Sequence, residues 1–572
     1  MKSIQISLRQ SIWLVLAFLS FTAIGQDEEE MDLTIYGTDR IEIRDADKFQ
    51  SWPEYKDNVV EIPPISYTLI PYKIEATIVP PPIKAAKVNV EEKLVKLYKG
   101  YARAGFGIYA NSLAEIHYMS GRSRKGAYRV HAKHRGSAGG VAGADSISDS
   151  FSNNEVNLWG KRFIKRYALQ GNFKWDREKR NFYGFNPVFN PEVDEDDIDR
   201  LTQGIGSDIS LKSYYRDSAK VNFEARLGFN NFRDNFDGQL NEIQLNLAAH
   251  RPIGDNHFYA DLNIDYDKFD YLQRLTQDRK TLKGTLVEVI PRATTTNGDL
   301  KINVGMNIVV DGRDANAFHF YPLAEVKYSL FDDLFVPYAG IKGGIEEKNY
   351  QLLVEENPWV ATDVDVRNRN LKLRFYGGIR GTLTPNTGFN VAFLQSNYED
   401  FGFYVNDSIA AISGTGSEFK IEYDNLSVTE LMGEVTINES KKLGLFLKGQ
   451  YFLYGLGKSA QEYAWYQPST KFTMIGRYNI EKKIIAQVEL FTQGKTKAKT
   501  YEAISGIAME EGGYYIINQP GIFDINLMAE YRYTKRLSGF VKVNNLFSSK
   551  YMRYNNYRVQ RIAAMMGITY SF

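Results

Sequence analysis

The side chains in this sequence that could bind a metal ion are six histidines and several acidic clusters. His131 and His134 lie three residues apart, and on a β-strand that spacing puts the two rings on opposite faces. The two histidines of a helical zinc site lie four apart on one face. The acidic stretch 190–200 offers oxygen ligands suited to calcium, but it lacks the spacing of an EF-hand loop. We therefore predict no metal site and no cofactor.

The residue patterns give little indication of an enzyme active site. No HExxH, GxSxG, P-loop or glycine-rich dinucleotide motif occurs. Serine, histidine and aspartate are present, but nothing in their spacing places a nucleophile beside a base on neighbouring strands. The chain has no cysteine, which excludes disulfides and cysteine nucleophiles. The sequence predicts a protein that is not an enzyme and has no catalytic residues.

Charge and aromatic content indicate which kinds of partner the chain can bind. The 70 lysines and arginines nearly balance the 69 aspartates and glutamates, so no net positive field attracts nucleic acid. Aromatic residues make up 14% of the chain, a content that suits β-strands and membrane interfaces.

The first 25 residues have the pattern of a secretory signal peptide. Lys2 and Arg9 precede the apolar run SIWLVLAFLSFTAIG, which is followed by small residues and then by QDEEE. The apolar run falls short of the ~20 residues that a transmembrane helix needs. We predict a signal peptide over residues 1–25, and therefore export.

Residues 26–99 differ from the rest of the chain because they hold seven of its 17 prolines and one glycine, Gly37. Proline fixes φ and removes a backbone donor, so the segment is expected to be extended and to lack a core of its own. We predict a proline-rich periplasmic or lumen-lying segment. It would be either a tether or a strand-like stretch packed against another surface.

From residue 100 to Phe572, apolar side chains recur at every second position. In KVNFEARLGFN (220–230), one face is apolar and the other is polar or charged. Such runs reach ten residues or more, the length needed to cross a bilayer at a tilt. The connections between them alternate between short turns and long polar loops, and the long set is 136–152, 178–200, 348–369, 403–426 and 498–519.

Short turns at one end and long loops at the other are typical of outer-membrane barrels. Both termini of such a barrel lie on the periplasmic side, which requires an even number of strands. Counting back from Phe572 gives about 22. The predicted fold is all-β, a transmembrane antiparallel β-barrel of about 22 strands over residues 100–572, with a short proline-rich N-terminal extension.

The last strand, ending in MMGITYSF, places a terminal aromatic at the periplasmic membrane interface. Its predicted lipid-facing residues are Ile562, Ala564, Met566, Ile568, Tyr570 and Phe572.

The closing stretch LSGFVKVNNLFSSKYMRYNNYRVQRIAAMMGITYSF resembles the last two strands of TonB-dependent receptor-type barrels. The residues that carry the resemblance are Asn545, Leu546, Phe547, Tyr551, Arg561 and the terminal Phe572. The resemblance implies an outer-membrane barrel of about this size. It also implies that Ile568, Tyr570 and Phe572 belong to the signal read by the outer-membrane assembly machinery.

One departure from that family concerns the N-terminus. Those receptors carry a globular plug, preceded by a segment that contacts TonB. Here only residues 26–99 are available, and no such segment is found in QDEEEMDLTIYGTDRIEIRD. We therefore expect a barrel that lacks the conventional plug.

Two functions fit these observations. The first is transport of a solute or polymer across the outer membrane of a Gram-negative (diderm) bacterium, with residues 26–99 partly filling the lumen. The second is a structural or accessory barrel subunit of an outer-membrane secretion or assembly complex. The expected partners are outer-membrane lipid, the assembly machinery during insertion, and a periplasmic or surface lipoprotein.

Overall fold

The computed structural model describes residues 98–572, except for 122, 142–147, 185–197, 218, 314–316, 408–417, 440–441, 458–460 and 502–506. The predicted signal peptide lies outside the described residues. So does the proline-rich segment, apart from Tyr98 and Lys99.

Twenty-two antiparallel strands form one closed sheet, in which each strand pairs with the strands before and after it in the chain. The sheet closes because the first strand, β1, pairs with the last, β26, over seven residue pairs from Tyr101–Ser571 to Gly107–Met565. The predicted all-β fold and its count of about 22 strands are confirmed.

The first half of the barrel consists of β1 (Gly100–Gly107), β2 (Ser112–Met119), β3 (Gly126–Ser137), β4 (Phe151–Ile164), β5 (Tyr167–Asn181), β6 (Asp199–Ser213), β7 (Asn222–Asp234), β8 (Gln239–Ile253), β9 (Asn256–Leu272), β10 (Arg279–Asn297) and β11 (Leu300–Asp311). The second half consists of β12 (Ala317–Tyr328), β13 (Val336–Glu346), β14 (Arg369–Thr384), β15 (Thr387–Asn406), β16 (Phe419–Glu439), β17 (Leu443–Gly455), β18 (Thr470–Ile480), β19 (Ile484–Gln493), β22 (Ile522–Arg532), β23 (Leu537–Asn544) and β26 (Ala563–Ser571).

Smaller elements lie in the connections. Two short hairpins are formed by β20 (Thr496–Thr500) with β21 (Tyr515–Gln519), and by β24 (Met552–Tyr554) with β25 (Tyr557–Arg558). A seven-residue helix, α1 (Tyr350–Glu356), follows β13, and a 3₁₀ turn (Ile108–Ala110) follows β1. No helix in the described part of the chain is long and apolar enough to span a membrane.

Alternation along each strand separates an apolar outer face from a polar lumen. In β7, Leu227 and Phe229 are exposed on the outside, while Arg226 on the other face pairs with Asp208 of β6 at 3.0 Å. Exposed apolar side chains recur around the whole wall, among them Val304, Phe320 and Val391. A continuous surface of this kind is stable against lipid rather than water, so the wall is a membrane surface.

The two ends of the barrel differ in their connections. We call the end that holds Gly100 and Phe572 the proximal end and the opposite one the distal end. Turns at the proximal end are short, as at 254–255 and 385–386. Each of the five predicted long loops lies at the distal end, but four distal connections, 108–111, 235–238, 273–278 and 312–316, are short as well.

Twelve of the 14 described residues in the predicted loop 403–426 are strand. β15 and β16 pair as far as Asn406–Phe419, so both strands extend well beyond their neighbours. They have 20 and 21 residues, whereas β1, β2 and β23 have eight each. The wall is therefore tall on one side and low near the seam where the barrel closes.

The seam itself is packed from the lumen by Phe540. Gly105 and Gly567 pair across β1 and β26, and a Cβ added at Gly567 would lie 2.5 Å from Cζ of Phe540. Only glycine leaves room for the Phe540 ring, so close packing explains glycine at both positions. The guanidinium of Arg103 lies 5.2 Å above the same ring and 3.8 Å from Glu530.

Candidate functional site: the closed distal mouth

Loops from several sides of the barrel meet over its distal mouth. Strands ~4.8 Å apart that tilt by ~40° give a 22-stranded barrel a diameter of roughly 40 Å, so loops from opposite sides meet only by crossing the lumen opening. The segments that meet, together called the cap, are 182–184, 347–368, 398–407, 418–428, 456–457, 461–469, 494–501, 514–521 and 545–562.

An aromatic core holds the cap together. Trp359, from the loop after β13, stacks on Tyr557 with ring centroids 3.8 Å apart. Tyr183, from the loop after β5, meets the edges of both rings and donates a hydrogen bond to the carbonyl of Arg558. Phe419, at the start of β16, is fully buried in the same cluster. Rings from four separate connections thus form one buried core.

The backbone also crosses the mouth. Val360 forms a parallel β-bridge with Phe419, and the amide of Ala361 donates to the Phe419 carbonyl at 2.7 Å. The indole Nε1 of Trp359 donates to the carbonyl of Asn181, at the end of β5. The loop 347–368 is therefore tied to both sides of the barrel and folds inward over the lumen.

A buried ion pair anchors helix α1 and the loop that follows it. Arg200, at the start of β6, lies 3.0 Å from Asp234, and both side chains are almost fully buried. Arg200 also donates to the carbonyls of Pro358 and Val360, while the Tyr350 hydroxyl of α1 donates to Asp234. A buried charge needs partners of this kind, since an unpaired buried ion would cost several kcal/mol. Burial raises the pKa of Tyr350 well above its usual value, so this hydroxyl stays protonated.

Arg274, in the turn between β9 and β10, joins three parts of the cap. Its guanidinium contacts the carboxylates of Asp363, Asp407 and Glu418, the first and last at 2.6 Å. One cation thus binds loop 347–368 and the tips of β15 and β16. The fork of five N–H donors makes arginine suited to hold several carboxylates at once.

A second buried cluster supports the cap on its tall side. Phe401, Phe403 and Leu426 of the extended β15–β16 ribbon pack around Trp465, which is 1% exposed. The hairpin β20–β21 adds its own contacts, because Lys499 lies 2.7 Å from Glu422 on the ribbon. The ribbon and hairpin therefore form the wall against which the cap packs.

Three carboxylates beside the helix come close enough to share a cation. The carboxyl oxygens of Glu242, Asp265 and Glu347 lie within 4.8 Å of one another, and divalent cations are bound by oxygen ligands of this type. Oε1 of Glu347 has no hydrogen-bond partner among the described residues. Burial, followed by repulsion from Glu242, Asp265 and Asp267, raises the pKa of Glu347 to about 8. The group can therefore hold a cation or retain a proton.

The lumen wall below the cap carries ion pairs such as Lys212–Glu224 and Arg292–Asp261, so charges of both signs face inward. This agrees with the mixed inward-facing charges that the strand pattern indicates. The wall therefore offers a hydrated surface with no marked preference for one sign of charge.

The predicted C-terminal residues lie where the strand pattern placed them. Ile568, Tyr570 and Phe572 are exposed on the outer face of β26, while Thr569 faces the lumen and is buried. The backbone of Phe572 accepts hydrogen bonds from Lys99 and Gly100 and donates one to Gly100. Recognition of these residues by the assembly machinery remains a prediction.

The family-like residues before the last strand shape the loop that contributes Tyr554 and Tyr557 to the cap. Asn545 is buried with a positive φ of 48°, and its side chain bonds the backbone of Ser549 at 2.8 and 2.9 Å. Tyr551 donates to Asp524 at 2.6 Å. Leu546 donates its amide to Ile525, Phe547 is exposed, and Arg561 precedes β26 by two residues.

The two histidines considered as a metal pair are separated by the strand. His131 points into the lumen, where it lies 3.1 Å from Glu115, whereas His134 on the other face contacts Ser112 and Asn154. The predicted separation is confirmed. Most of the acidic stretch, 190–197, lies outside the described residues.

Sequence reasoning missed the residues that build the mouth. Arg200, Arg274 and the carboxylate cluster draw partners from positions far apart in the chain, so no spacing motif marks them. One signal was available: the distal loops are rich in Trp and Tyr, as in YMRYNNYR (551–558), whereas a solvated loop needs few such rings.

The chain was compared with known proteins. No protein-family model and no curated protein sequence matches it. The siderophore receptor PirA from Acinetobacter baumannii aligns with a TM-score of 0.63 at 11% identity, covering 84% of this chain and 81% of that one. The pyoverdine outer membrane receptor FpvA from Pseudomonas aeruginosa PAO1 aligns at 0.61, with 11% identity and coverages of 84% and 79%. The copper transporter OprC aligns at 0.59, with 11% identity and coverages of 84% and 81%.

These neighbours are named as receptors or transporters and not as enzymes. Identities near 11% show a shared fold alone. The described chain is therefore a 22-stranded β-barrel with the fold of TonB-dependent receptor-type barrels, as its C-terminal motif implied.

Proposed function

We propose that this protein is an outer-membrane transport barrel of a Gram-negative bacterium, with its extracellular mouth closed by its own loops. The distal end is the extracellular end, since long loops face outward and short turns face the periplasm in such barrels. The similar receptors and transporter of known structure support this location and this broad role.

The observation that carries the proposal is the aromatic core of the cap. An opening roughly 40 Å wide would leak unless it were filled or covered. Here the stacked pair Trp359–Tyr557 and its neighbours cover it from the extracellular side. Transport of a solute or polymer then requires the cap to open, and a conventional plug is not needed for closure from that side.

Electrical conductance in a planar bilayer tests this gate. The full-length native protein should show little or no steady conductance. The double variant Trp359→Ala, Tyr557→Ala should conduct, because it removes the buried Tyr557 ring and the half-buried Trp359 ring stacked on it. Loss of a well-packed aromatic ring costs ~3–5 kcal/mol of stability. The double variant Phe331→Ala, Tyr533→Ala alters two exposed aromatic side chains of the proximal turns and serves as the matched control.

A locked cap provides the reverse test. The chain has no cysteine, so Asn406→Cys with Asn555→Cys introduces the only thiols, at two side chains that lie 3.2 Å apart across the cap. Joining them with a short bifunctional thiol-reactive reagent, such as a bis-maleimide that alkylates both thiols, should suppress conductance in the Trp359→Ala, Tyr557→Ala background. An open native barrel, or conductance unchanged by locking, would contradict a gate in the cap.

The accessory-subunit function is tested separately, by gentle purification of the tagged protein from its own membranes. Recovery of a stoichiometric envelope complex would favour that role. Recovery of the barrel alone, or with a single lipoprotein, agrees with transport.

A further inference from the structure

A shallow groove lies on the outer, lipid-facing wall of β4, β5 and β6, near the proximal end. Its volume is about 370 Å³. Gly160 and Gly171 face each other across β4 and β5 and form its floor, and no atom lies within 3.8 Å of where their Cβ atoms would be. The apolar side chains of Leu169 and Ile209 form part of its walls.

The groove lies on the membrane side of the wall. Leu158 pairs with Phe173 one step toward the distal end, and both are exposed, like Ile209 beside Gly171. These residues share the face that carries the apolar side chains of the neighbouring strands. A strip without side chains, bordered by exposed apolar ones, has the shape and polarity that fit a hydrocarbon chain.

Positive charge surrounds the proximal end of this groove. Arg162 lines it directly and is exposed, and Lys165 and Arg166 form the turn that follows β4. Lys125, whose carbonyl accepts from the amide of Phe163, and its neighbour Arg124 lie in the adjacent turn. No ion pair neutralises any of these five cations within the described residues, and segments 120–128 and 160–168 contain no acidic residue.

We propose that this groove is a binding site for an anionic phospholipid of the proximal leaflet. One acyl chain lies over Gly160 and Gly171, and the phosphate is bound by Arg162 with Lys165 and Arg166. Basic residues placed where a lipid-facing groove meets the headgroup level favour anionic lipids, and guanidinium groups bind phosphate in a bidentate manner. The proposal requires only that the wall lies in a membrane and is independent of whether the cap opens.

Native mass spectrometry of the full-length barrel tests the site. The protein is exposed to equal amounts of phosphatidylglycerol and phosphatidylcholine, and the lipid retained after detergent removal is identified. The native barrel should retain one phosphatidylglycerol in preference to phosphatidylcholine. The triple variant Arg162→Gln, Lys165→Gln, Arg166→Gln should lose this preference, by about five-fold for each charge removed.

Two matched controls separate this site from general effects of charge and surface. Lys535→Gln with Arg536→Gln removes two exposed cations from another proximal turn and should leave retention unchanged. Gly171→Leu should fill the groove and abolish retention. Gly449→Leu alters a second glycine pair, Gly433–Gly449, on the outer wall and should have no effect.

Folding of each variant is checked by its resistance to unfolding in an electrophoresis detergent before heating. Equal retention of the two lipids by the native barrel would overturn the proposal. Equal losses of bound lipid in the groove variants and in their control variants would also overturn the proposal.

Discussion

Single side chains with several partners hold the cap closed. Arg274 is the clearest case, because its guanidinium contacts three carboxylates that are each no more than 12% exposed. Removing the guanidinium charge takes a cation away from three buried carboxylates, which is much more costly than breaking an exposed pair.

We therefore expect Arg274→Gln to destabilise the cap by ~3–5 kcal/mol. Amide hydrogen exchange in 357–366 should accelerate at least ~100-fold, while exchange in the barrel strands stays unchanged. Arg279→Gln is the control, since its pair with Asp237 is more than half exposed and contributes at most ~1 kcal/mol. Equal effects of the two variants would contradict the role given to Arg274.

Glu347 makes the stability of the cap depend on pH. Its pKa is raised to about 8 from an ordinary value near 4.5, so the folded cap favours the protonated form. The stabilising contribution of that proton is fully present below pH ~4.5 and is lost as pH rises toward 8.

Cap amides should accordingly exchange more slowly at pH 6 than at pH 9, after correction for the intrinsic rate, by about ten-fold or more. Glu347→Gln should remove most of this dependence, because the amide is neutral at both values. Glu355→Gln removes an exposed carboxylate of the nearby helix α1, and this variant should retain the pH dependence. A native cap with no pH dependence would show that a bound cation, or water, already neutralises the cluster.

At the scale of elements, α1 illustrates how tertiary contacts stabilise a helix that is too short to form alone. It has seven residues, and Tyr350, Leu353 and Val354 are buried against the strand ends. Its N-terminus is capped by Asn349, whose side chain accepts a hydrogen bond from the Leu352 amide at 3.0 Å. Packing and the cap together replace the missing helical turns.

Replacing the capping residue, Asn349→Ala, should cost ~1 kcal/mol. Exchange of the α1 amides should rise about five-fold, and the effect should spread to 357–361 because the helix positions that loop. Glu355→Ala, at an exposed position of the same helix, should change exchange by less than two-fold. A larger effect of the control would mean that helix propensity, and not the cap, limits stability.

In the whole molecule, pairing of β1 with β26 closes the sheet into a barrel. β1 and β26 are short, and the backbone of the terminal residue, Phe572, makes three of the hydrogen bonds at their proximal end. Its ring stacks with Tyr118 at 6.2 Å and lies at the membrane interface.

Deleting Phe572 should therefore lower the yield of heat-resistant folded barrel more than Phe572→Ala does, because the substitution keeps the backbone hydrogen bonds. Comparing the deletion with the substitution distinguishes the contribution of the backbone to sheet closure from the contribution of the ring to membrane anchoring. Tyr533→Ala, another exposed aromatic of the proximal end, should have little effect. If Phe572→Ala is as harmful as the deletion, the ring itself directs assembly, as the family resemblance implies.

The class of fold, a strand count of about 22 and the lipid-facing side of the alternating runs were all predictable from the sequence. These features are local, because a period of two residues and the length of each run depend on neighbours in the chain. The C-terminal pattern was sufficient to place Ile568, Tyr570 and Phe572 on the outer face. The loops were predicted less accurately, since most of the described residues in the stretch predicted as loop 403–426 extend β15 and β16.

The crossing of the distal mouth by the loops, and the residues that hold them there, follow only from the folded barrel. Trp359 meets Tyr557 across 198 positions of sequence, and Arg274 meets Glu418 across 144. Such contacts exist because closure of the barrel fixes where each loop begins and ends, and no local pattern carries that information. The lipid groove has the same origin, since Gly160 and Gly171 form a floor only when β4 and β5 pair in this register.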